Sequence, residues 1–237
     1  MILKGRRRLH PSAVVLAAAL AMVAFVVTPA GDLHAQAQAG KLVPLRIVLP
    51  KPGYEGTPEN LDVPNLEKPL GKERAPFLAP AGVVNVAKGK KVSSSEKEPF
   101  VGDLSMVTDG DKTQADGSYV ELGPGAQWVQ IDLGSENEIY AIVCWHYYLP
   151  RVYLSVVMQV SDDPGFAKNV VTLFNNDLNN KDKRGPGKDK NYIETYEGKL
   201  VDAKGTRARY VRLYSNGNNA NDLNHYIEVE VYGRPAK

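Results

Sequence analysis

Residues 139–146 read IYAIVCWH, a run of β-branched and aromatic side chains of the kind that forms strands. With a period of two, Ile139, Ala141, Val143 and Trp145 point one way and Tyr140, Ile142, Cys144 and His146 the other. Working outward, runs of the same character recur at 119–122, 128–133, 155–161, 170–174, 209–214 and 227–232, separated by clusters of Gly, Asn, Asp and Pro. Beyond the N-terminal segment no stretch sustains apolar residues at helical spacing. Seven or eight short strands over about 150 residues predict an all-β chain built as an antiparallel β-sandwich, a size at which roughly 68–70% of the chain surface can be buried.

The start of the chain has a different grammar. Lys4, Arg6, Arg7 and Arg8 precede an uninterrupted apolar run, 13–27, and the small residues Ala35 and Ala37 flank Gln36. This is the order of a secretory signal peptide, expected to span 1–37 and to be removed near Gln38. The run holds 15 residues, short of the ~20 that a spanning helix needs, so no transmembrane anchor is expected after cleavage. The whole sequence carries 29 basic and 27 acidic side chains; without 1–37 the balance becomes 25 against 26. The apparent basicity belongs to the export signal, and composition gives no ground for nucleic-acid binding. Export places the chain in the periplasm, at the cell surface or in the medium. Cys144 is the one cysteine, so no internal disulfide can form.

Residues 38–84 carry prolines at 44, 50, 52, 58, 64, 69, 76 and 80. Proline lacks a backbone donor and disfavours helix in the residue before it, so an extended segment without long regular elements is expected, a linker or a strap across the domain. Its apolar groups Leu42, Val43, Leu45, Ile47 and Phe77 favour partial docking, and the segment is also a candidate contact for a protein partner.

Six segments in register along residues 85–233 carry a resemblance: NVAKGKKVSSS at 85–95, VTDGD at 107–111, QWVQIDLG at 127–134, VVMQVSDDPGF at 156–166, ARYVRLYSNGN at 208–218 and YIEVEVYG at 226–233. Together they resemble the coagulation factor V/VIII type C, or discoidin-like, domain of the galactose-binding-like superfamily. The resemblance implies a jelly-roll β-sandwich over 85–234, a binding role without catalysis, recognition of sugars in bacterial exported forms, and a structural calcium ion.

Three constellations are candidate sites. The acidic turn TDGDKTQAD holds Asp109, Asp111, Thr113 and Asp116; calcium takes six to eight oxygen ligands, which such a turn can supply at short spacing. The resemblance adds a carboxylate near the last strand at Glu228, so Asp109, Asp111 and Glu228 are the expected metal ligands, against the alternative of an ordinary Asp-Gly turn. WHYYLPRVY at 145–153 brings His146, Tyr147, Tyr148 and Arg151 within six positions, flat aromatic faces beside hydrogen-bonding groups, as sugar recognition requires. Of these, His146, Tyr148 and Arg151 are the expected contacts; the alternative is that the tyrosines cap the sandwich while Arg151 pairs with a carboxylate. The Asn-rich loops at 175–192 and 215–226 offer Asn176, Asn216, His225 and Tyr226, against a plain turn-forming role.

Signatures of catalysis are missing: there is no G-x-S-x-G elbow, H-E-x-x-H, P-loop or cysteine pair. His10 and His34 leave with the signal peptide, and Cys144 reads as a small buried apolar group. The sequence therefore predicts a non-catalytic protein that binds a carbohydrate or glycoconjugate through loops at one end of a calcium-stabilised sandwich. An adhesion or envelope protein that binds another protein, and a small hydrolase, are the alternatives.

Overall fold

A computed structural model describes residues 41–52, 61–115, 117–148 and 150–236 of the protein. The segment read as a signal peptide and Asp116 of the acidic turn lie outside the described residues. Gln38–Lys237 is one compact unit. In chain order its strands are β1 (Leu42–Pro44), β2 (Leu78–Pro80), β3 (Val84–Asn85), β4 (Lys91–Ser94), β5 (Val120–Leu122), β6 (Gln127–His146), β7 (Val157–Ser161), β8 (Val171–Asn175), β9 (Lys199–Ser215) and β10 (Asn224–Pro235). A short 3-10 helix, Leu104–Thr108, capped by the Asp103 carboxylate, precedes β5.

Two long strands organise the rest. β6 has 20 residues and β9 has 17, and they pair antiparallel from Gln127↔Ser215 to Cys144↔Lys199. The first half of β6 takes β4 on its other edge, and the second half takes β10. The later half of β9 takes β7, which takes β8. β10 also pairs with β3 and β5. The halves of β6 meet at a register shift between Asp132 and Asn137, where Gly134 adopts φ +87°, a conformation that favours glycine. The bend turns the two halves toward each other. Val129, Ile131, Met158, Val160 and Leu213 of one half interlock with Ile142, Cys144, Val201, Val229 and Val231 of the other in a single buried core. The fold is the antiparallel β-sandwich that the strand pattern predicts.

The period of two fails at one place. Ala141, Val143 and Trp145 share the outer side of β6, as expected, but Ile139 joins Ile142 and Cys144 in the inner core. A second register shift, between Ile139 and Ala141, inverts the facing there and leaves Tyr140 half-exposed beside the Arg234 guanidinium. Two further elements had no sequence signal: β4, with Lys91 and two serines, and the Lys199–Ala203 part of β9, whose Asp and Lys mask the alternation.

The outer side of β6 is a second apolar layer. Ala141, Val143, Trp145, Tyr148, Ile227 and Tyr232 are buried there, covered by Leu45, Ile47, Phe77 and Val83 of the proline-rich segment. That segment is docked as a strap. Arg74 donates from Nη1 to Gly198 O (2.8 Å) and from Nη2 to Glu197 O (3.0 Å), while Lys199 Nζ pairs with Glu67 (3.1 Å). Trp145 closes the layer by donating its indole N–H to Tyr196 O (2.9 Å).

Gly198 sits at φ +65°, and a Cβ there would lie 2.7 Å from Trp145 Cε2. Gly198→Ala is expected to destabilise the protein by roughly 1–3 kcal/mol, through overpacking and backbone strain together. Urea unfolding followed by Trp fluorescence measures this, and an unchanged midpoint would contradict the close approach.

Candidate ligand-binding site

The half-exposed chemistry of the sandwich gathers where β5, β10 and the loop after β6 meet. β5 pairs with β10 so that Glu121 stands opposite His225 and Val120 opposite Tyr226. On a pleated strand Tyr119 and Glu121 share a side, so the pairing brings Tyr119, Glu121 and His225 onto one face. The loop leaving β6 lays Tyr147 and Arg151 against them. Tyr119 and Tyr147 meet edge-to-face with centroids 5.2 Å apart, and Tyr119 lies 5.8 Å from the His225 ring. The Arg151 guanidinium stands 5.0 Å over the Tyr147 ring and places Nη1 3.4 Å from His225 Nδ1.

The tautomer of His225 follows from its partners. Arginine can only donate and a carboxylate only accepts. His225 Nδ1 therefore accepts, from Arg151 and from the Tyr153 hydroxyl (3.0 Å), and Nε2–H donates to Glu121 Oε2 (3.1 Å). Burial, then the neighbouring Arg151 and His146, push the His225 pKa down to about 4, so the ring is neutral at pH 7. Arg151 has no ion pair among the described residues, so the expected alternative of a structural carboxylate partner is not what the structure places there. The cluster thus offers apolar ring surface, a guanidinium with no ion pair among the described residues and a carboxylate acceptor side by side.

Of the seven side chains expected to touch a sugar, Arg151 and His225 stand in this cluster. The other five are corrected by their placement. His146 follows Ile142 and Cys144 into the inner core and is fully buried; its Nδ1–H donates to Glu194 Oε1 at 2.6 Å and its ring stacks on Tyr153 at 4.4 Å. Tyr226, cross-strand from His146, is equally buried and its hydroxyl meets Ser215 Oγ at 3.0 Å. Tyr148 is buried in the outer layer and donates to Lys112 O. Asn176 accepts from Val156 N (2.6 Å), and Asn216 donates to Asp182 (2.7 Å), so both amides are spent on holding loops. Sequence reading missed Tyr119 and Glu121. The signal available was their spacing of two on a strand ending beside the aromatic loop.

Cys144, His146 and Glu194 have the composition of a nucleophile triad without its geometry. Cys144 Sγ is 3.7 Å from both His146 ring nitrogens, so it faces neither lone pair. All three are buried, and burial, with Glu194 and Glu228, raises the thiol well above its ordinary range.

The acidic turn keeps its carboxylates for itself. Asp109 Oδ1 accepts from Asp111 N (2.7 Å), and Asp111 Oδ1 from Thr113 N and Oγ1 (2.8 and 2.7 Å). Glu228 is buried; its Oε2 accepts from Gly110 N (3.1 Å) and its Oε1 has no hydrogen-bond partner. Burial first, then the Glu230 and Asp109 charges, raise the Glu228 pKa to about 8, against the Gly110 N–H and Lys112. Lys112 Nζ is itself bonded to Glu230 at 2.6 Å. Among the described residues no group of three or more His, Cys, Asp or Glu side chains is placed to hold a metal ion. Among the described residues of this turn and the last strand, the orphan oxygen of Glu228 is the feature that fits a cation, and main-chain carbonyls of the turn would have to complete the shell.

No family model matches the chain, and no curated protein matches it. Among solved structures the chain is similar to a family 89 glycoside hydrolase from Clostridium perfringens, at 20% identity and TM-score 0.48 over 65% of this chain. It spans 15% of the length of that hydrolase. It is also similar to a fucose-binding module from Streptococcus pneumoniae, at 17% identity and TM-score 0.45, covering 63% of this chain and 97% of the module. A third similarity is to a chitosan-binding module from a chitosanase/glucanase of Paenibacillus sp. IK-5, at 21% identity and TM-score 0.44, covering 63% of this chain and 99% of that module.

Proposed function

We propose that the protein is an exported, non-catalytic carbohydrate-binding protein whose ligand lies on Tyr119 and Tyr147 and is held by Arg151 and Glu121, with His225 bridging the two. The observation that carries the reading is this convergence of two half-exposed aromatic rings with a guanidinium that has no ion pair among the described residues. A sugar ring has an apolar C–H face, which packs on an aromatic face, and hydroxyls that need both donors and acceptors. Arg151 supplies the donors and Glu121 the acceptor. Neutral His225 holds the two apart, accepting from one and donating to the other.

Arg151→Ala is expected to weaken glycan binding about ten- to a hundredfold, the range for one lost charge-assisted hydrogen bond, and Tyr147→Ala about two- to tenfold, the range for one lost aromatic contact, with little change in Tm. A glycan array followed by affinity electrophoresis measures it. No retention of the folded wild-type protein by any glycan would end the proposal.

Binding should also fail on acidification. Because the folded His225 pKa lies near 4 and the unfolded near 6.5, the folded state binds fewer protons between those values. The stability contribution is complete above pH 6.5 and is lost as pH falls toward 4. Only around pH 4 does the folded ring gain a proton on Nδ1, after which it can no longer accept from Arg151 and Tyr153. Glycan retention by the folded wild type is expected to hold down to about pH 5 and to drop around pH 4, more steeply than in His225→Asn; parallel curves would contradict the assignment.

Calcium is part of the same proposal, held by Glu228 with main-chain carbonyls of the acidic turn and supported by the partnerless buried Glu228 oxygen; Asp109 and Asp111, the other expected ligands, spend their Oδ1 atoms inside the turn. The ion would supply charge neutralisation for that carboxylate. Added calcium is expected to raise the Tm of EDTA-treated wild type and leave that of Glu228→Gln unmoved. Identical melting of the wild type with and without calcium removes the ion.

A further inference from the structure

The strap covers the outer side of the second half of β6. The first half has an outer side of its own, facing away from the core residues Val129, Ile131, Val211 and Leu213. The register sets Trp128 opposite Tyr214 and Gln130 opposite Arg212, so these four share that side. The Arg212 guanidinium lies 4.4 Å over the Trp128 ring and 4.1 Å over the ring of Phe166, from the turn after β7. Its Nη1 reaches the Tyr214 hydroxyl at 3.2 Å. Arg184, from the loop between β8 and β9, covers the Tyr214 ring at 3.6 Å. Phe166, Arg212, Trp128, Tyr214 and Arg184 thus form one tract, in which two guanidinium groups are interleaved with three rings.

What the tract lacks is an anion. Arg212 donates to Gln130 Oε1 (2.7 Å from Nε), to Pro164 O (3.1 Å) and to Tyr214, all uncharged acceptors. The Arg184 side chain makes no hydrogen bond among the described residues, and its Nε is buried without a partner. Neither guanidinium has an ion pair there. The carboxylates of the two flanking loops are turned onto the loops themselves. Asp177 accepts from Lys181 N and Asp182 N, and Asp189 from Asn175 N. On the other flank Asp163 accepts from Gly165, Ala167 and Lys168 N, and Asp162 from Arg209 N. Residues 177–190 hold five basic side chains against three acidic, and their four lysines are exposed.

A guanidinium laid on a ring keeps its donors in a fixed plane, set for paired hydrogen bonds to a carboxylate. A single-stranded nucleic acid would need free ring faces for its bases, and here each ring already carries a guanidinium. An acidic peptide brings its carboxylates on flexible side chains, which lose rotamer freedom when they are ordered. A polymer of sugar acids brings them on rings, at regular intervals and with hydroxyls between. We propose that the tract on the outer side of the first half of β6 binds an acidic polysaccharide, with Arg184 and Arg212 pairing to its carboxylates. None of its five residues belongs to the cluster of Tyr147 and Arg151, so the surface stands or falls independently of that site.

Affinity electrophoresis of the full chain through gels containing polygalacturonate tests this. Highly methyl-esterified pectin, in which most of the same carboxylates are capped, and polyglutamate serve as comparisons. The wild type is expected to be retarded by polygalacturonate, to be released by salt, and to run almost freely in the other two. Arg184→Ala should weaken the retardation about tenfold, and Arg184→Lys nearly as much, since a point charge replaces the planar fork. Because the Arg184 side chain holds no other group by a hydrogen bond, both variants are expected to melt close to the wild type, which ties the loss to binding. Free migration of the folded wild type in polygalacturonate, equal retardation by esterified pectin, or an Arg184→Ala protein that runs like the wild type overturns the proposal. Arg184→Lys indistinguishable from wild type overturns the role of the stacked guanidinium. Equal or stronger retardation by polyglutamate or by oligothymidylate also overturns it, and assigns the tract to an acidic peptide or a nucleic acid.

Discussion

The second half of β6 is apolar on both sides, and the architecture answers that constraint. One side, with Ile142 and Cys144, is buried when the β6–β9 pair bends over itself. The other, with Ala141, Val143 and Trp145, would face water in a two-layer sandwich, at a cost of about 25 cal/mol for each Å² left exposed. The strap removes that exposure. It approaches the face of the sheet and not its edge, so it contributes side chains and needs no ladder of N–H donors. A segment rich in proline therefore suffices, since the donors that proline lacks have no sheet partners to reach. Where strap residues do pair, at β1 and β2, three residues each are enough.

The candidate site inherits its rigidity from this clamped strand. β6 is held by β9 on one edge and β10 on the other as far as its last residues, so the loop carrying Tyr147 and Arg151 leaves from a fixed point. From beneath, the Tyr153 hydroxyl fixes His225, Tyr153 stacks on His146, and His146 is bonded to Glu194. Glu194 N also donates to Arg151 O (2.9 Å), which ties the loop back to the same buried group. A buried polar network is costly unless its members are satisfied, and when satisfied it specifies one arrangement of the side chains above it.

Strand pattern carried the fold well because bulky β-branched and aromatic runs leave few alternatives at 128–133, 139–146 and 227–232. It divided β6 into two strands, since Gly134, Ser135 and Glu136 read as a turn, whereas the chain bends there without leaving the sheet. The site was less legible for a related reason. Residue type marks His146, Tyr148 and Tyr226 as ligand-like, but exposure is decided by which side of a strand a residue occupies after each bulge, and sequence does not place bulges. Arg151 has the right chemistry on the open side, with His225 buried just beneath it; Tyr119 and Glu121 become meaningful only when β5 is known to lie beside His225. The proline run announced an extended segment, while its docking depended on the unsatisfied outer side of β6, far away in sequence.

The acidic turn is bound to that same outer side. Glu228 and Glu230 are two residues apart on β10, opposite Trp145 and Val143, so both carboxylates enter the layer that the strap covers. Two buried negative charges repel each other and lose their water, and each demands neutralisation. Lys112, sent in from the Asp109–Asp111 turn, answers for Glu230 at 2.6 Å and lies 5.0 Å over the Trp145 ring, but one ammonium cannot cancel two carboxylates. The deficit falls on Glu228, with a single N–H from Gly110 and an oxygen that has no partner. A proton or a divalent cation can make it good, and an oxygen that carries one cannot at the same time carry the other. The turn and the last strand therefore form one electrostatic unit, in which Glu230 takes the ammonium and Glu228 carries the deficit.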